Sequence, residues 1–455
     1  MSSRPLVLVL TLLAACQGTP PSSPASPAPP SPASPPPSSR APSSPPDARR
    51  AQLPLPFPHR PAQCDYETSP PHAGHLSATP HAEAAGDTAD VRNLHLTFVG
   101  DPRSSIVVQW STDAATLASA VTLRDARPSA PARRVEGYSF PLLGEGGRRE
   151  HEVHVCGLTP GTRYEYAVLS GGATPAVHHF ITAPDGPSEV RVMVAGDART
   201  DPAEWGRVSR RALGRAPDLL LFTGDAVADG GSAPAWEAFF REGAELLAEV
   251  PGVWADGNHE GQSAVYYDQF ALPPNGGVKH YEHWYAVTYG PLRVVVLNDS
   301  TLTDEEIVGA ETDFLRDTLA GVDRARTPFV LTMHHKPTHT DAVGHLPNDL
   351  TLAAWGPLFD RFHVDVDLSG HVHNYESTEG LRGDLVDPAG TRYLIFGGAG
   401  APLYGFRARL PSTHQRESTH GFGMLHADAR SLRWEAYRTD GSLIEALPLR
   451  PAAPH

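Results

Sequence analysis

The sequence predicts an α/β domain that follows an all-β sandwich, and three observations support this. Between Val91 and residue 185, short segments such as SSIVVQWSTD alternate apolar and polar residues and are separated by turn sequences. From about Glu189 onward, apolar strands instead alternate with segments of helical spacing. Residues 17–62 are almost wholly Pro, Ser, Ala and Thr, and such a composition cannot form a core.

The N-terminus is typical of a targeting segment. Residues 1–16 read MSSRPLVLVLTLLAAC, with a charged start at Arg4 and an apolar run too short to span a bilayer. The ending LAAC resembles a bacterial lipobox, in which the leader is removed before a cysteine that then carries lipid. We therefore expect a lipoprotein signal peptide at 1–16 and lipidation of Cys16. A plain signal peptide is the alternative.

The next segment is predicted to be a tether. Residues 17–90 begin with a Pro-rich stretch, PPSSPASPAPPSPASPPPSS, which favours extended polyproline II, and they stay polar to their end. Directly after a lipid anchor, this composition indicates a disordered stalk. The expected location is the bacterial cell envelope, with the outer membrane or periplasm preferred, or the secreted state.

Residues 91–185 are predicted to be a small β domain. Alternating apolar positions mark its strands: Ile106, Val108 and Trp110, then Val153 and Val155, then Tyr164 and Tyr166. About ninety residues of this pattern indicate a β-sandwich. The stretch GLTPGTRYEYAV resembles a fibronectin type III-like domain.

Residues 188–450 are predicted to be the catalytic α/β domain, because five of its strands end in polar side chains that bind metals. The strand ends carry Asp197, then Asp225, then Asn258 and His259, then His334 and His335, and finally His371 and His373. The carboxyl ends of strands are where sites form in α/β sheets. Oxygen and imidazole nitrogen ligands suit zinc, iron or manganese.

The order and spacing of these strand ends, with GNHE and GHVHNYE the most specific, resemble the calcineurin-like metallophosphoesterase superfamily. With the β domain in front, the branch that it resembles is that of the purple acid phosphatases, over roughly Val91 to Leu449. The resemblance implies a four-layer αββα sandwich. It also implies a phosphoric ester hydrolase, an acid phosphatase-type phosphomonoesterase, with a dinuclear metal centre and a metal-bound hydroxide.

The same resemblance assigns roles to single residues. Asp225 would bridge two ions, and Asp197 and His373 would hold the first. Asn258, His335 and His371 would hold the second, with His334 as the alternative to His335. His259, steadied by Glu260, would donate a proton to the leaving group or stabilise the transition state.

Two positions depart from the family pattern. Arg199 stands where most metallophosphoesterases have a histidine, and Ala228 stands where purple acid phosphatases have a tyrosine ligand. Three interpretations stay open. Water fills the vacant ligand position, Arg199 points at the substrate phosphate, or the first site is empty and the enzyme impaired.

Charge and cysteine content limit the other functions. The net charge of −15 makes nucleic-acid binding a poor expectation, and no C-x-x-C pair offers a thiolate zinc site. Cys64 and Cys156 either pair or stay free. The expected partners are a phosphate-ester substrate and, through Cys16 alone, a membrane. The alternatives are a phosphodiesterase or nucleotidase of the same fold, and a catalytically decayed, surface-displayed binding protein.

Overall fold

The computed structural model describes residues 53–450, apart from residues 69–76, 89, 128, 144–146, 171–174 and 278–281. The predicted signal peptide with Cys16, and the predicted stalk up to residue 52, lie outside the described residues. Within the described residues, every helix is too short or too polar to cross a bilayer.

Two antiparallel sheets form the N-terminal β domain. Its strands are β1 (Leu55–Pro56), β2 (Ser77–Pro80), β3 (Arg92–Thr97), β4 (Ser105–Asp113), β5 (Ala120–Asp125), β6 (Arg133–Glu136), β7 (Tyr138–Pro141), β8 (Arg148–Cys156), β9 (Arg163–Leu169) and β10 (His178–Ile181). One sheet has the order β1-β2-β7-β8-β4-β3 and the other β10-β9-β5-β6. Ile106 and Trp110 of the first share a core with Val121 and Phe180 of the second, as the alternating pattern predicts.

The folded part begins earlier than the predicted end of the stalk at residue 90. Strand β2 pairs with β7, and β1 pairs with β2. Cys64 and Cys156 form a disulfide across 92 positions of sequence. Leu55 and Phe57 pack against buried Tyr138. The few apolar residues and the cysteine, rather than the overall polar composition, therefore decide where the described fold starts.

The remaining strands build two further sheets and one short hairpin. They are β11 (Val190–Ala195), β12 (Leu219–Phe222), β13 (Gly252–Trp254), β14 (Tyr285–Tyr289), β15 (Leu292–Val296), β16 (Phe329–Met333), β17 (Val366–Ser369), β18 (Tyr375–Thr378), β19 (Leu381–Arg382), β20 (Leu385–Val386), β21 (Arg392–Phe396), β22 (Thr413–Glu417), β23 (Gly421–Ala427), β24 (Leu432–Arg438) and β25 (Leu443–Arg450). The sheet orders are β13-β12-β11-β23-β24-β25 and β14-β15-β16-β17-β21-β18-β22, and β19 pairs with β20.

Helices connect these strands. They are α1 (Pro202–Leu213), α2 (Ala233–Glu242), α3 (Ala244–Leu247), α4 (Ala264–Gln269), α5 (Asp304–Glu306), α6 (Thr312–Ala320) and α7 (Asp349–Phe362), with a 3₁₀ turn at Pro274–Gly276 and a π turn at Ile307–Glu311. Thr303 begins α5 with a capping box, because its side chain and that of Glu306 bond each other's backbone N–H. Strands β11, β12 and β13 are parallel, as are β15, β16, β17 and β21.

Alternate residues of the strands face different layers. In β15, Val294 lies in the core between the two sheets, whereas its neighbour Val295 packs with Trp355 of α7. On the other side, Trp205 of α1 contacts Phe222 of β12, with ring centroids 5.7 Å apart. The layers therefore run helices, sheet, sheet, helices, which confirms the predicted four-layer domain behind a β domain.

Candidate metal centre

The five predicted strand ends meet at one place. Asp197 and Asp225 follow β11 and β12 of one sheet, whereas His335 and His371 follow β16 and β17 of the other. One ligand atom from each of Asp225, His335 and His371 lies within 4.8 Å of the others. Two sheets thus deliver their carboxyl ends to a shared cluster, as the sheet-edge argument predicts.

Three ligand atoms converge at the predicted second metal position. His335 Nδ1 lies 2.8 Å from the carbonyl oxygen of Thr223, which only accepts, so Nδ1 carries the hydrogen. This leaves His335 Nε2 facing Asp225 Oδ1 at 3.3 Å and Asn258 Oδ1 at 3.2 Å. Contacts this short need a proton or a metal ion on Nε2, and the donor set of imidazole, carboxylate and amide oxygen suits a metal ion.

The predicted first metal position has fewer free ligand atoms. His373 Nε2 lies 3.3 Å from Asp197 Oδ1, and this buried oxygen has no hydrogen-bond donor within the described chain. The other oxygen of Asp197 accepts from the backbone N–H of His371 at 2.8 Å. An unpaired buried carboxylate oxygen fits a cation, so Asp197 alone suits the predicted ion.

Arg199 lies at this first position. Its Nε lies 3.2 Å from Asp225 Oδ2 and its Nη2 lies 3.1 Å from His373 Nε2. Its side chain is only 17% exposed. Arg199 therefore contacts two of the three side chains that the first ion would need, and it does not extend into solvent.

The backbone at the ligands is constrained. Asp197, Asp225 and His371 have φ angles of 59°, 57° and 64°, a region that non-glycine residues rarely adopt. Gly224, at φ 95°, precedes Asp225 where a Cβ would lie 2.8 Å from His335 Nδ1. Such conformations persist only where the surroundings enforce them, and they mark this cluster as a functional site.

Charge in the cluster favours binding of a cation. Burial opposes the charged form of His335, but nearby carboxylates, led by Asp225, raise the pKa of its ring to about 10. Burial, with the neighbouring rings of His335 and His345, lowers the pKa of His371 to about 3. A metal ion and a proton compete for the same nitrogen of His335, so ion binding displaces that proton.

His259 lies beside the cluster, as predicted. Its Nδ1 lies 2.8 Å from the carbonyl oxygen of Ala228, and its Nε2 lies 3.8 Å from Asp225 Oδ2. The prediction that Glu260 steadies the His259 side chain is wrong. Both Glu260 oxygens accept backbone N–H groups, from Asp225, Ala226 and Gly257, each at 2.8 Å. Glu260 therefore holds the backbone of two ligand loops rather than the ring of His259.

His334, the alternative ligand to His335, points away from the cluster. Its Nδ1 lies 2.8 Å from Asp299 Oδ2 and its Nε2 lies 3.0 Å from Asp367 Oδ2. With each ring nitrogen bound to a carboxylate, His334 has no lone pair for a metal ion. The alternative is corrected in favour of His335, because neighbouring residues at a strand end point in different directions.

Three further residues at the site were not among the predicted site residues. Asp299, just after β15, accepts the backbone N–H groups of His335 and Lys336. Its position at a strand end was a signal that could have revealed it. His345 Nδ1 lies 3.3 Å from His371 Nε2, and no periodicity marks this loop residue. The Tyr404 ring stacks on His373 at 4.1 Å. Tyr404 and His345 thus form one wall of the site.

Comparisons with known families agree with this geometry. Residues 190–375 match the model of the calcineurin-like phosphoesterase family. Residues 91–182 match the model of the purple acid phosphatase N-terminal domain. The family uses divalent metal ions, and the cluster of Asp225, His335 and His371 offers them a place. The second position fits such an ion, whereas the first does not fit one while Arg199 bonds its ligands.

Individual relatives cover most of the chain. Purple acid phosphatase 21 of Arabidopsis thaliana is 25% identical over 373 residues, which are 77% of this chain and 82% of the relative. The fold is similar to that of purple acid phosphatase PPD1 from yellow lupin seeds, with a TM-score of 0.68, 19% identity and coverage of 79% and 74%. It is also similar to that of PhoD, with a TM-score of 0.59, 13% identity and coverage of 79% and 89%. With both family models matched in order and a ligand cluster at the expected sheet edge, the chain is a phosphoester hydrolase that carries a calcineurin-like phosphoesterase domain behind a purple acid phosphatase N-terminal domain and is similar to purple acid phosphatases.

Proposed function

We propose that the chain hydrolyses phosphate monoesters at a metal centre held by Asp225, Asn258, His335 and His371. The observation that carries this proposal is the convergence of Asn258 Oδ1 and Asp225 Oδ1 on His335 Nε2, at 3.2 and 3.3 Å. When bound, a metal ion supplies positive charge for the phosphate and lowers the pKa of water toward neutrality.

The protein's own residues supply the remaining chemistry. His259 Nδ1 is paired with the carbonyl oxygen of Ala228, which leaves Nε2 free to hold a proton for the leaving-group oxygen. His345 and Tyr404, at the wall of the site, offer donors for the phosphate oxygens. The family's dinuclear arrangement also requires an ion at the first metal position, on Asp197 and His373. Whether that ion can bind depends on the contacts of Arg199.

A comparison of monoester and diester turnover tests this proposal. We expect p-nitrophenyl phosphate hydrolysis to stop after chelation and to return on addition of zinc, manganese or iron, because the proposed chemistry needs the charge of a metal ion at this position. Bis(p-nitrophenyl) phosphate should be the poorer substrate. Preference for the diester would replace this function with phosphodiesterase activity. Absence of turnover with every ester and metal would favour the decayed display protein.

We also propose that the protein is anchored in the bacterial cell envelope through lipid on Cys16, with a fibronectin type III-like domain between stalk and catalytic domain. The disulfide between Cys64 and Cys156 supports an oxidising compartment outside the cytoplasm. Cells fed a labelled fatty acid should label the wild type and not a Cys16→Ser variant. Equal labelling of the two would contradict the anchor.

A further inference from the structure

Arg199 makes several hydrogen bonds to metal-ligand residues, which an arginine that only binds substrate would not need. Its Nε and Nη2 donate to Asp225 Oδ2 and His373 Nε2, and its backbone N–H donates to the carbonyl oxygen of Asp225 at 3.3 Å. These contacts fix the guanidinium between ligand side chains of the metal centre.

The bond to His373 excludes a metal ion from the same nitrogen. His373 Nδ1 lies 2.7 Å from the carbonyl oxygen of Pro402, so Nδ1 carries the ring hydrogen. Nε2 then has one lone pair in the plane of the ring. That lone pair accepts from Arg199 or binds an ion, and it cannot do both.

The two carboxylate oxygens of Asp225 likewise face different partners. Its Oδ1 accepts the backbone N–H of His259 at 3.0 Å and faces His335 Nε2, on the side of the second metal position. Its Oδ2 faces Arg199 Nε. A carboxylate that bridges two ions needs Oδ2 for the first ion, and here the guanidinium takes that place.

Too few ligands then remain for the first ion. With His373 and Asp225 Oδ2 bonded to Arg199, Asp197 Oδ1 is the one predicted ligand atom left at this position. Arg199 and Ala228 themselves stand where the family has further ligands. A single carboxylate oxygen does not hold a transition metal ion, which requires several ligands with defined geometry.

We propose that the guanidinium of Arg199 takes the place of the first metal ion, so that each chain binds one ion, at the second position. The guanidinium is always protonated and supplies a fixed positive charge where the family has an ion. Its N–H groups that do not bond Asp225 or His373 remain for the phosphate oxygens of the substrate. This inference rests on the proposed function and specifies the composition of its metal centre.

Metal content tests the inference separately from activity. The full-length protein is loaded with zinc or manganese, freed of excess ion, and counted by mass spectrometry against protein concentration. We expect about one ion per chain for the wild type and about two for Arg199→His, which restores an imidazole at this position. Arg199→Ala, which frees His373 and Asp225 Oδ2, should also gain an ion and serves if the histidine variant does not fold.

A nearby arginine provides the matched control. Arg407 is exposed and donates to the carbonyl oxygens of Thr340 and His345 without touching a metal ligand atom. Arg407→Ala removes the same charge near the site and should keep one ion. A gain of an ion in this variant would show that charge alone, and not the contacts of Arg199, excludes the first ion.

The position of the single ion is tested by two further variants. Asn258→Ala should lose the ion, and His373→Ala should keep it, because His373 belongs to the first position. In manganese-loaded protein, electron paramagnetic resonance should show an isolated ion in the wild type and a coupled pair in Arg199→His.

Failure of the inference can be told apart from failure of the proposed function. Two ions in the wild type, or one ion in both Arg199 variants, overturn the inference while metal-dependent turnover leaves the function in place. A wild type without any ion and without turnover overturns both. One ion that is lost in His373→Ala and kept in Asn258→Ala also overturns the inference, because the ion then lies at the first position.

Discussion

Asp225→Asn should reduce kcat for p-nitrophenyl phosphate by on the order of a thousandfold or more, since a metal centre lowers the activation barrier by several kcal/mol. The substitution keeps the shape of the side chain and leaves one carbonyl oxygen to accept the backbone N–H of His259. In the wild type this N–H lies 3.0 Å from Asp225 Oδ1. It removes the negative charge that faces both His335 and Arg199. The loss should therefore appear in activity and metal content.

A second aspartate on the same loop separates these effects from general damage. Asp229 is exposed, and its Oδ1 accepts the backbone N–H of Gly231 at 2.9 Å without reaching the cluster. Asp229→Asn should keep wild-type turnover and metal content. If Asp225→Asn retains activity within about tenfold of wild type, the centre described around it does not perform the chemistry.

His259→Ala should have the second large effect, and the leaving group should determine its size. Alkoxide leaving groups need a proton, so kcat/KM for glycerol phosphate should fall by about a hundredfold to ten-thousandfold. The p-nitrophenolate ion leaves without a proton, and its ester should lose far less. The backbone N–H of His259, which bonds Asp225, is preserved in this variant.

The two esters also distinguish the roles left open for His259. Unequal losses identify it as the proton donor. Equal losses with both esters would assign it to stabilising charge in the transition state, since that contribution is independent of the leaving group. Unchanged kinetics with both would remove His259 from the mechanism, despite Nε2 lying 3.8 Å from Asp225 Oδ2.

Much of the architecture could be predicted because its signals are local. Alternation in β4 and β8, and apolar strands that end in polar residues, are readable from a few neighbouring positions. Parallel strands place their carboxyl ends at one edge of a sheet, so the strand ends predicted ligands at that edge, and the family resemblance grouped Asp225, His335 and His371, which lie together in the structure. The start of the folded region was misplaced because Leu55, Phe57 and Cys64 find their partners far along the chain.

The direction of each side chain was beyond local patterns. The family resemblance favoured His335 over its neighbour His334, and the carboxylates of Asp299 and Asp367 give the reason, because they hold His334 away from the cluster. Glu260 sits next to His259 in sequence yet bonds the backbone of other loops. A motif places a residue near a site, but hydrogen-bond partners from distant segments decide where its atoms point.

The sequence by itself determined the succession of ligand-bearing strands along the chain and the ligand types at their ends. It also determined that Arg199 and Ala228 depart from the family pattern. Only the tertiary structure decided what that departure means, because the answer depends on one nitrogen of His373. The carbonyl oxygen of Pro402, 29 positions further along the chain, sets the tautomer of that ring and leaves its lone pair to Arg199. Which atoms hold a proton or an electron pair is a property of contacts between distant segments, and no pattern of neighbouring residues contains it.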